Sequence, residues 1–165
     1  MRLAFSTRDV RRNSFSSLCR FARDYGMDGF EIWDASEERT QHTDSVLRSE
    51  MASEARIMQR NNNVSVCALS YPDSVESEAV SSISLVQYVD MAALAGIENV
   101  IVHVSVMPDI DSLHAKMAAA IERAEKQNVD ILFETTGPLS KTPTLLQIIN
   151  AFASASIGAA WNFRQ

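Results

Sequence analysis

The sequence contains little cysteine and lacks two common nucleotide-binding motifs. Its 165 residues include two cysteines, Cys19 and Cys67, and neither belongs to a CxxC pattern. Because both lie in apolar stretches, we expect buried, reduced thiols rather than a disulfide or a metal clip. Neither GxGxxG nor GxxxxGK[ST] occurs after any predicted strand, which argues against a nucleotide-binding loop.

Long hydrophobic runs and an excess of positive charge are also missing. The apolar stretch before Arg8 is much shorter than the core of a signal peptide, and no other run approaches the length of a membrane span. The chain has 15 Lys and Arg against 21 Asp and Glu, a net charge of -6. Such a chain is not expected to attract phosphate backbones. We therefore expect a cytoplasmic protein with neither a membrane nor a nucleic acid as partner.

Short apolar segments alternate regularly with amphipathic ones. Each amphipathic segment repeats its apolar residues at helical spacing. Strands separated by single helices imply parallel pairing with right-handed crossovers. With 46% hydrophobic residues, the chain predicts one α/β domain over 1–165, either a barrel or an open doubly wound sheet. The apolar segments that predict the six strands are 2–6, 30–33, 64–69, 99–104, 129–137 and 157–161.

Polar residues before the amphipathic segments predict where the helices begin. Asn13 or Ser14 is expected to cap the first helix, and residues 73–76 resemble a capping box for the third. Asp111 is expected to cap the fourth helix. Thr142, followed by proline, is expected to cap the fifth.

Polar and charged residues close several predicted strands at their carboxyl ends. In parallel α/β folds ligands gather at this edge, because the loops there carry variable polar groups over a rigid base. The alternation of side chains along a strand places Glu31 on one face with Trp33, and Glu134 on one face with Thr136. The residues at these ends are Thr7, Glu31, Trp33, Ser70, Tyr71, His103, Ser105, Glu134, Thr136, Asn162 and Arg164.

Glu134 carries the strongest functional signal of this set. It follows the apolar run 131–133 directly, where a carboxylate is costly unless it is paired, bound to a metal or solvated at a cavity mouth. The other candidates have ordinary alternatives. His103 could be a hydrogen-bonded histidine, Glu31 an ion-pair partner and Arg164 a surface charge.

Five phrases, in order along the chain, resemble the sugar phosphate isomerase/epimerase family, the xylose isomerase-like TIM barrels. The resemblance implies a (β/α)8 barrel that is incomplete here, with about six of eight units and without strands seven and eight. A truncated piece of a longer protein is the expected explanation, and a partner chain in a homo-oligomer that covers the gap is the alternative. The phrases are MRLAFST, FARDYGMDGFEIW, YVDMAALAGIENVIVHV, ILFETTG and IGAAWNFRQ.

The resemblance also implies a divalent metal, manganese, magnesium, cobalt or zinc, at the barrel mouth. Its ligands would be a Glu ending strand five, an Asp ending strand six, and a His and a Glu from strands seven and eight. Glu134 matches the first of these positions, but Asn162 stands in the second and Gln165 replaces the usual histidine nearby. An amide in place of a carboxylate lowers the attraction to a divalent cation. Metal binding is therefore expected to be weakened, or lost if Asn162 does not bind.

The activity that the resemblance implies is metal-dependent isomerisation or epimerisation of a small sugar, sugar phosphate or cyclitol through an enediolate-type proton transfer. Glu134, Glu31 and His103 are then the expected catalytic residues. The expected substrate-binding residues are Trp33, Thr136 and Arg164, whose guanidinium could face a phosphate or carboxylate. The 165-residue piece alone is expected to be inactive.

Two alternatives from other functional classes stay open. A metal-free barrel with a binding or regulatory role is indicated by Asn162 and Gln165. An abasic-site endonuclease is disfavoured, because relatives with that activity use a cluster of zinc-binding histidines and this chain is negatively charged. Only His42, His103 and His114 are present.

Overall fold

Strands and helices alternate along the chain in the computed structural model, which describes residues 2–9, 14–33, 47–77 and 84–162. Short 3-10 turns at Thr7–Asp9, Ser49–Met51 and Gly137–Ser140 supplement the regular elements. The strands are β1 (Ala4–Ser6), β2 (Gly29–Trp33), β3 (Ser65–Ser74), β4 (Asn99–His103), β5 (Asp130–Glu134) and β6 (Ile157–Ala160). The helices are α1 (Phe15–Asp24), α2 (Ala52–Asn62), α3 (Leu85–Ala95), α4 (Ile110–Gln127) and α5 (Thr142–Phe152).

The six strands form one parallel sheet in the order β1-β2-β3-β4-β5-β6. A doubly wound sheet would reverse its strand order at a switch point, and this sheet does not. The arrangement is that of six consecutive units of a (β/α)8 barrel. This confirms the α/β class and decides between the two predicted architectures. Within the described residues β1 pairs with β2 alone and β6 with β5 alone, so these two strands form open edges.

The main hydrophobic core lies between the sheet and the helices. Alternate residues of the central strands point toward the helices and are fully buried, because both layers are apolar there. Phe133 stacks on Phe152 of α5, with ring centroids 5.8 Å apart. The fully buried strand residues of this layer are Phe30, Ile32, Leu69, Val100, Val102, Ile131 and Phe133.

Two glycines are explained by local geometry. Gly96 ends α3 with φ of 73°, in the left-handed region where a side chain is strained. At Gly29 a Cβ atom would lie 1.9 Å from the carbonyl oxygen of Ser65. Only glycine therefore lets β2 approach β3 at the start of the strand.

Several helix starts differ from the predicted ones. Ser14 caps α1 as predicted and accepts a hydrogen bond from the Ser17 amide. Residues 73–76 do not begin a helix, because Ser74 is the last residue of β3. Asp109 rather than Asp111 caps α4, and Thr142 is already inside α5. Propensity locates these boundaries only to within a few residues.

Ser84 and Gln87 form the capping box that starts α3. The Gln87 amide donates to Ser84 Oγ over 3.2 Å, and the Ser84 amide donates to Gln87 Oε1 over 3.0 Å. The two side chains thus satisfy two free amides at once.

The two cysteines differ in exposure. Cys19 is buried in α1, as predicted, and burial raises the pKa of its thiol to about 11. Cys67 is exposed, so the prediction of a buried thiol is wrong there. It lies beside the register irregularity between β2 and β3, which interrupts the alternation on which the prediction depended. Among the described residues no helix is both long and apolar enough to span a bilayer.

Candidate functional site

The face of the sheet opposite the helices carries the polar residues, and we call it the inner face. Glu31 lies two residues before Trp33, His103 two after Ile101 and Glu134 two after Leu132, so these side chains share that face. All of them are half-buried, whereas the helix-facing residues between them are fully buried. The strand register aligns the residues of this face from β2 to β6 as Trp33, Ser70, Ile101, Leu132 and Gly158.

Glu134 is held by neutral donors at the carboxyl end of β5. Asn162 Nδ2 donates to Glu134 Oε1 over 2.8 Å, and Thr136 Oγ1 donates to Glu134 Oε2 over 3.3 Å. Among the described residues no Lys or Arg lies within 4.0 Å of this carboxylate. The charge is therefore oriented by hydrogen bonds, and within the described part of the chain no ion pair cancels it.

Thr135 positions Asn162 beside Glu134. The Thr135 amide donates to the Ala160 carbonyl over 3.0 Å, which continues the β5–β6 ladder beyond the end of the strands. The Asn162 amide donates to Thr135 Oγ1 over 2.8 Å. Thr135 is almost completely buried, so these bonds are protected from water. We call Glu134, Thr135, Thr136 and Asn162 the β5–β6 cluster.

His103 ends β4 close to several carboxylates. Burial lowers the pKa of its ring, while the charges of Glu134, Glu76 and Asp73 act in the opposite direction. Because burial has the larger effect, the net pKa lies below the ordinary value, and the neutral imidazole is favoured near neutral pH.

Glu76 joins the loops that follow β3 and β4. Its Oε1 accepts hydrogen bonds from the amides of Ser105 at 2.7 Å and Val106 at 2.8 Å, and its Oε2 accepts one from Ser74 Oγ at 2.6 Å. Burial opposes the charged form, but the bonds from Ser74 and from the backbone outweigh it and lower the pKa of Glu76. The spacing of residues 73–76 matches a capping box, so the sequence alone assigns Glu76 to a helix start and not to this loop contact.

A further group of polar residues surrounds the ends of β1 and β2. Ser70 Oγ donates to Glu31 Oε1 over 2.7 Å. The Trp33 amide donates to Thr7 Oγ1 over 2.9 Å, and the Arg8 guanidinium lies 4.7 Å from the centre of the Trp33 ring. We call Thr7, Arg8, Glu31, Trp33 and Ser70 the β1–β2 cluster. Arg8 was missed in the sequence, although its place directly after the first predicted strand was a usable signal.

The predicted site residues thus fall into separate groups at one edge of the sheet. Glu134 lies with Thr136 and Asn162, and its charge also acts on His103. Glu31 lies near Trp33, and within the described ranges no hydrogen bond joins their cluster to Glu134. The predictions for Arg164, Gln165 and His42 fall outside the described residues.

The described residues show no cluster of typical metal ligands. No group of three or more His, Cys, Asp or Glu side chains in the described ranges is arranged to hold an ion. Asn162 turns its amide nitrogen, a hydrogen-bond donor, toward Glu134. Its carbonyl oxygen, the atom that could bind a cation, points elsewhere unless the amide rotates.

Comparisons with solved structures confirm the fold that the resemblance implied. The chain matches 3-keto-D-glucoside 4-epimerase, YcjR, from E. coli with a TM-score of 0.74 and 11% identity, covering 99% of this chain and 68% of that one. A D-tagatose 3-epimerase-like protein matches with a TM-score of 0.69 and 15% identity, covering 98% and 64%. The IolI protein with a binding zinc atom matches with a TM-score of 0.68 and 13% identity, covering 96% and 62%.

These matches show that the chain shares the fold of these proteins. The chain spans less than two thirds of the length of a xylose isomerase domain protein from Planctomyces limnophilus, covering 62% of it at 16% identity and a TM-score of 0.67. No protein-family model and no curated protein sequence matches the chain. The similarity to sugar-acting proteins is therefore one of structure.

Proposed function

We propose that this chain contributes to an isomerase or epimerase activity that moves a carbon-bound proton of a small sugar, sugar phosphate or cyclitol. Glu134 is the proposed base. One observation carries the proposal. Glu134 lies on the inner face at the carboxyl end of β5, bonded to Asn162 and Thr136, both of them neutral. A general base must be both charged and correctly oriented. Neutral hydrogen-bond donors orient a carboxylate without cancelling its charge.

The other residues of the inner face fit supporting roles. The ring of His103 can donate a hydrogen bond to a substrate carbonyl oxygen, on which negative charge develops as the proton leaves. Glu31, already bonded to Ser70, can accept a bond from a sugar hydroxyl. The faces of sugar rings carry apolar C–H groups, and Trp33 offers an aromatic surface for them.

The solved structures of similar fold support a sugar as the substrate class. Two of them are described as a 3-keto-D-glucoside 4-epimerase and a D-tagatose 3-epimerase-like protein. In parallel barrels the chemistry is carried at the carboxyl edge of the strands, and Glu134 and His103 are the last residues of their strands.

Isotope exchange tests the proposal directly. The protein is incubated in heavy water with a panel of ketoses, ketose phosphates and cyclitols, and deuterium incorporation at carbon is followed by NMR. We expect Glu134→Gln to slow exchange by about 100-fold or more, since the amide cannot accept the proton. Asp130→Asn is the matched control, because Asp130 lies exposed at the opposite end of the same strand. Exchange on no compound of the panel, or equal loss in both variants, would contradict the proposal.

Whether the reaction needs a metal is a separate question. The described residues show no cluster of typical metal ligands, and the proposed proton transfer assigns no role to an ion. Metal analysis of the purified protein answers it. We expect less than one equivalent of manganese, cobalt or zinc per chain. A full equivalent that disappears in Glu134→Ala would show instead that this carboxylate is a metal ligand.

A metal-free binding domain is the second candidate function. It is favoured by the hydrogen bond from Asn162 to Glu134, which occupies one oxygen of the proposed base. This candidate predicts that a sugar binds in calorimetry while no deuterium is incorporated under the same conditions.

A further inference from the structure

Arg8 and Trp33 form a cation–π pair at the mouth of the sheet. The guanidinium carbon of Arg8 lies 4.7 Å from the centre of the indole ring, within the range where the ring attracts a cation. The two residues come from neighbouring strand ends, because Arg8 follows β1 and Trp33 closes β2. A positively charged group is thus held over an aromatic side chain of the inner face.

Backbone contacts fix both partners. The Trp33 amide donates to Thr7 Oγ1 over 2.9 Å, and Thr7 is 2% exposed. The Arg8 amide donates to Ser6 Oγ over 3.3 Å. The guanidinium therefore belongs to a short, anchored turn, while the Arg8 side chain itself is exposed and accessible to a ligand.

The charges around Arg8 leave it able to bind an anion. Among the described residues no carboxylate lies within 4.0 Å of its guanidinium. Two described carboxylates of the inner face are engaged by other groups, Glu31 by Ser70 and Glu134 by Asn162. Arg8 is distinguished by its place, because its guanidinium lies over Trp33, a side chain of the inner face beside the proposed site. The planar fork of a guanidinium matches the oxygens of a phosphate or carboxylate.

We propose that Arg8, held against Trp33, binds the anionic group of the substrate and selects a sugar phosphate or sugar acid over the neutral sugar. This inference rests on the proposed function, which identifies the rest of the ligand as a sugar. It narrows the substrate class to sugars that carry a phosphate or a carboxylate, and it makes Arg8 a residue that determines specificity rather than one that moves the proton.

Ligand binding to a variant with one tryptophan tests this inference. Trp161→Phe leaves Trp33 as the sole tryptophan of the chain, so a ligand at Arg8 changes the fluorescence of the ring beside it. The probes are fructose phosphate, galacturonate, fructose and inorganic phosphate. We expect fructose phosphate or galacturonate to bind at least about tenfold more tightly than fructose, and the stronger of the two shows whether the site prefers a phosphate or a carboxylate.

Substitutions at Arg8 then test the specific contact. Arg8→Gln should weaken binding of the preferred anionic sugar by about 10- to 100-fold and leave fructose unchanged, while Arg8→Lys should recover part of the loss. Arg60→Gln removes the same charge from an exposed position in the last turn of α2 and serves as the control. Equal affinity for neutral and anionic sugars, or equal loss in the Arg8 and Arg60 variants, would overturn the inference. Calorimetry repeats the titration in the wild-type protein.

The two proposals fail in distinguishable ways. If anionic sugars bind through Arg8 but no deuterium is incorporated at carbon, the binding site stands and the isomerase proposal fails. If exchange occurs on neutral sugars and Arg8→Gln does not change it, the isomerase proposal stands and the role of Arg8 is refuted.

Discussion

The two faces of the sheet differ in what their residues do. On the helix side Phe30, Val100 and Ile131 are completely buried and belong to one hydrophobic cluster with apolar helix residues. On the inner face the alternate positions include Glu31, His103 and Glu134, which are half-buried. The two carboxylates accept hydrogen bonds from polar side chains, and the pKa of His103 is influenced by nearby carboxylates. The comparison indicates that one face stabilises the fold while the other is available for chemistry.

The largest expected effect comes from truncating neighbouring residues on opposite faces of β5. Ile131 is fully buried and faces the helices, so Ile131→Ala should lower the free energy of unfolding by about 2–5 kcal/mol. Leu132 is half-buried on the inner face, and Leu132→Ala should cost about half as much. Urea denaturation of both variants measures the difference. Equal losses would show that the inner face is as important to the fold as the helix side.

A smaller effect is expected at Glu76, which stabilises the loops at the carboxyl edge. Glu76→Gln weakens the bonds to Ser105 and Val106, and we expect a loss of about 1 kcal/mol at neutral pH. Folding lowers the pKa of Glu76. The stabilisation is therefore fully present above the pKa of this carboxyl in the unfolded chain, about 4.3, and is lost as the pH falls through its lower pKa in the folded protein.

Denaturation of wild type and variant at several pH values between neutral and acid tests this dependence. The groups near Glu76 include Lys116, which donates to its backbone carbonyl, and His103. Glu98→Gln, between α3 and β4, is the control for the loss of an exposed carboxylate, because no side-chain hydrogen bond or ion pair of Glu98 is seen among the described residues. A gap between wild type and Glu76→Gln that stays constant down to acid pH would refute the account of Glu76.

A still smaller effect is expected in the helix layer at Ser84. Ser84→Ala removes the side chain that accepts from the Gln87 amide and should lower stability by about 1 kcal/mol. Ser53→Ala in the first turn of α2 changes the same atoms on an exposed surface without such a bond and should change stability much less. If thermal denaturation shows no difference between these variants, the capping box contributes nothing measurable.

Much of the fold could be predicted because the pattern of apolar residues repeats in every unit. The strand segments around Phe30, Val100 and Ile131 were identified by their apolar character, and Gly96 by its place after a helical stretch. The boundaries were harder to predict. Asp73 and Glu76 have the spacing of a capping box, and only the pairing of Ser74 with His103 across the sheet shows that the strand continues there.

The candidate site could be predicted in part. The residues at the strand ends identified Glu134 and its neighbour Asn162, because the carboxyl ends of parallel strands meet at one edge. The bond between their side chains could not be predicted, since it depends on how Thr135 joins β6 to β5. The contact of Arg8 with Trp33 could not be predicted either, because it joins residues distant in sequence.

The most direct test of the central claim is a methyl NMR titration with an anionic sugar such as fructose phosphate. If the inner face at the carboxyl edge is the binding surface, the methyl signals of Ile101 and Leu132 should shift on addition of ligand. Those of Ile131 and Ile148, which are buried on the helix side, should stay almost unchanged. Shifts confined to the helix-side methyls, or no shifts at saturating ligand, would contradict the account.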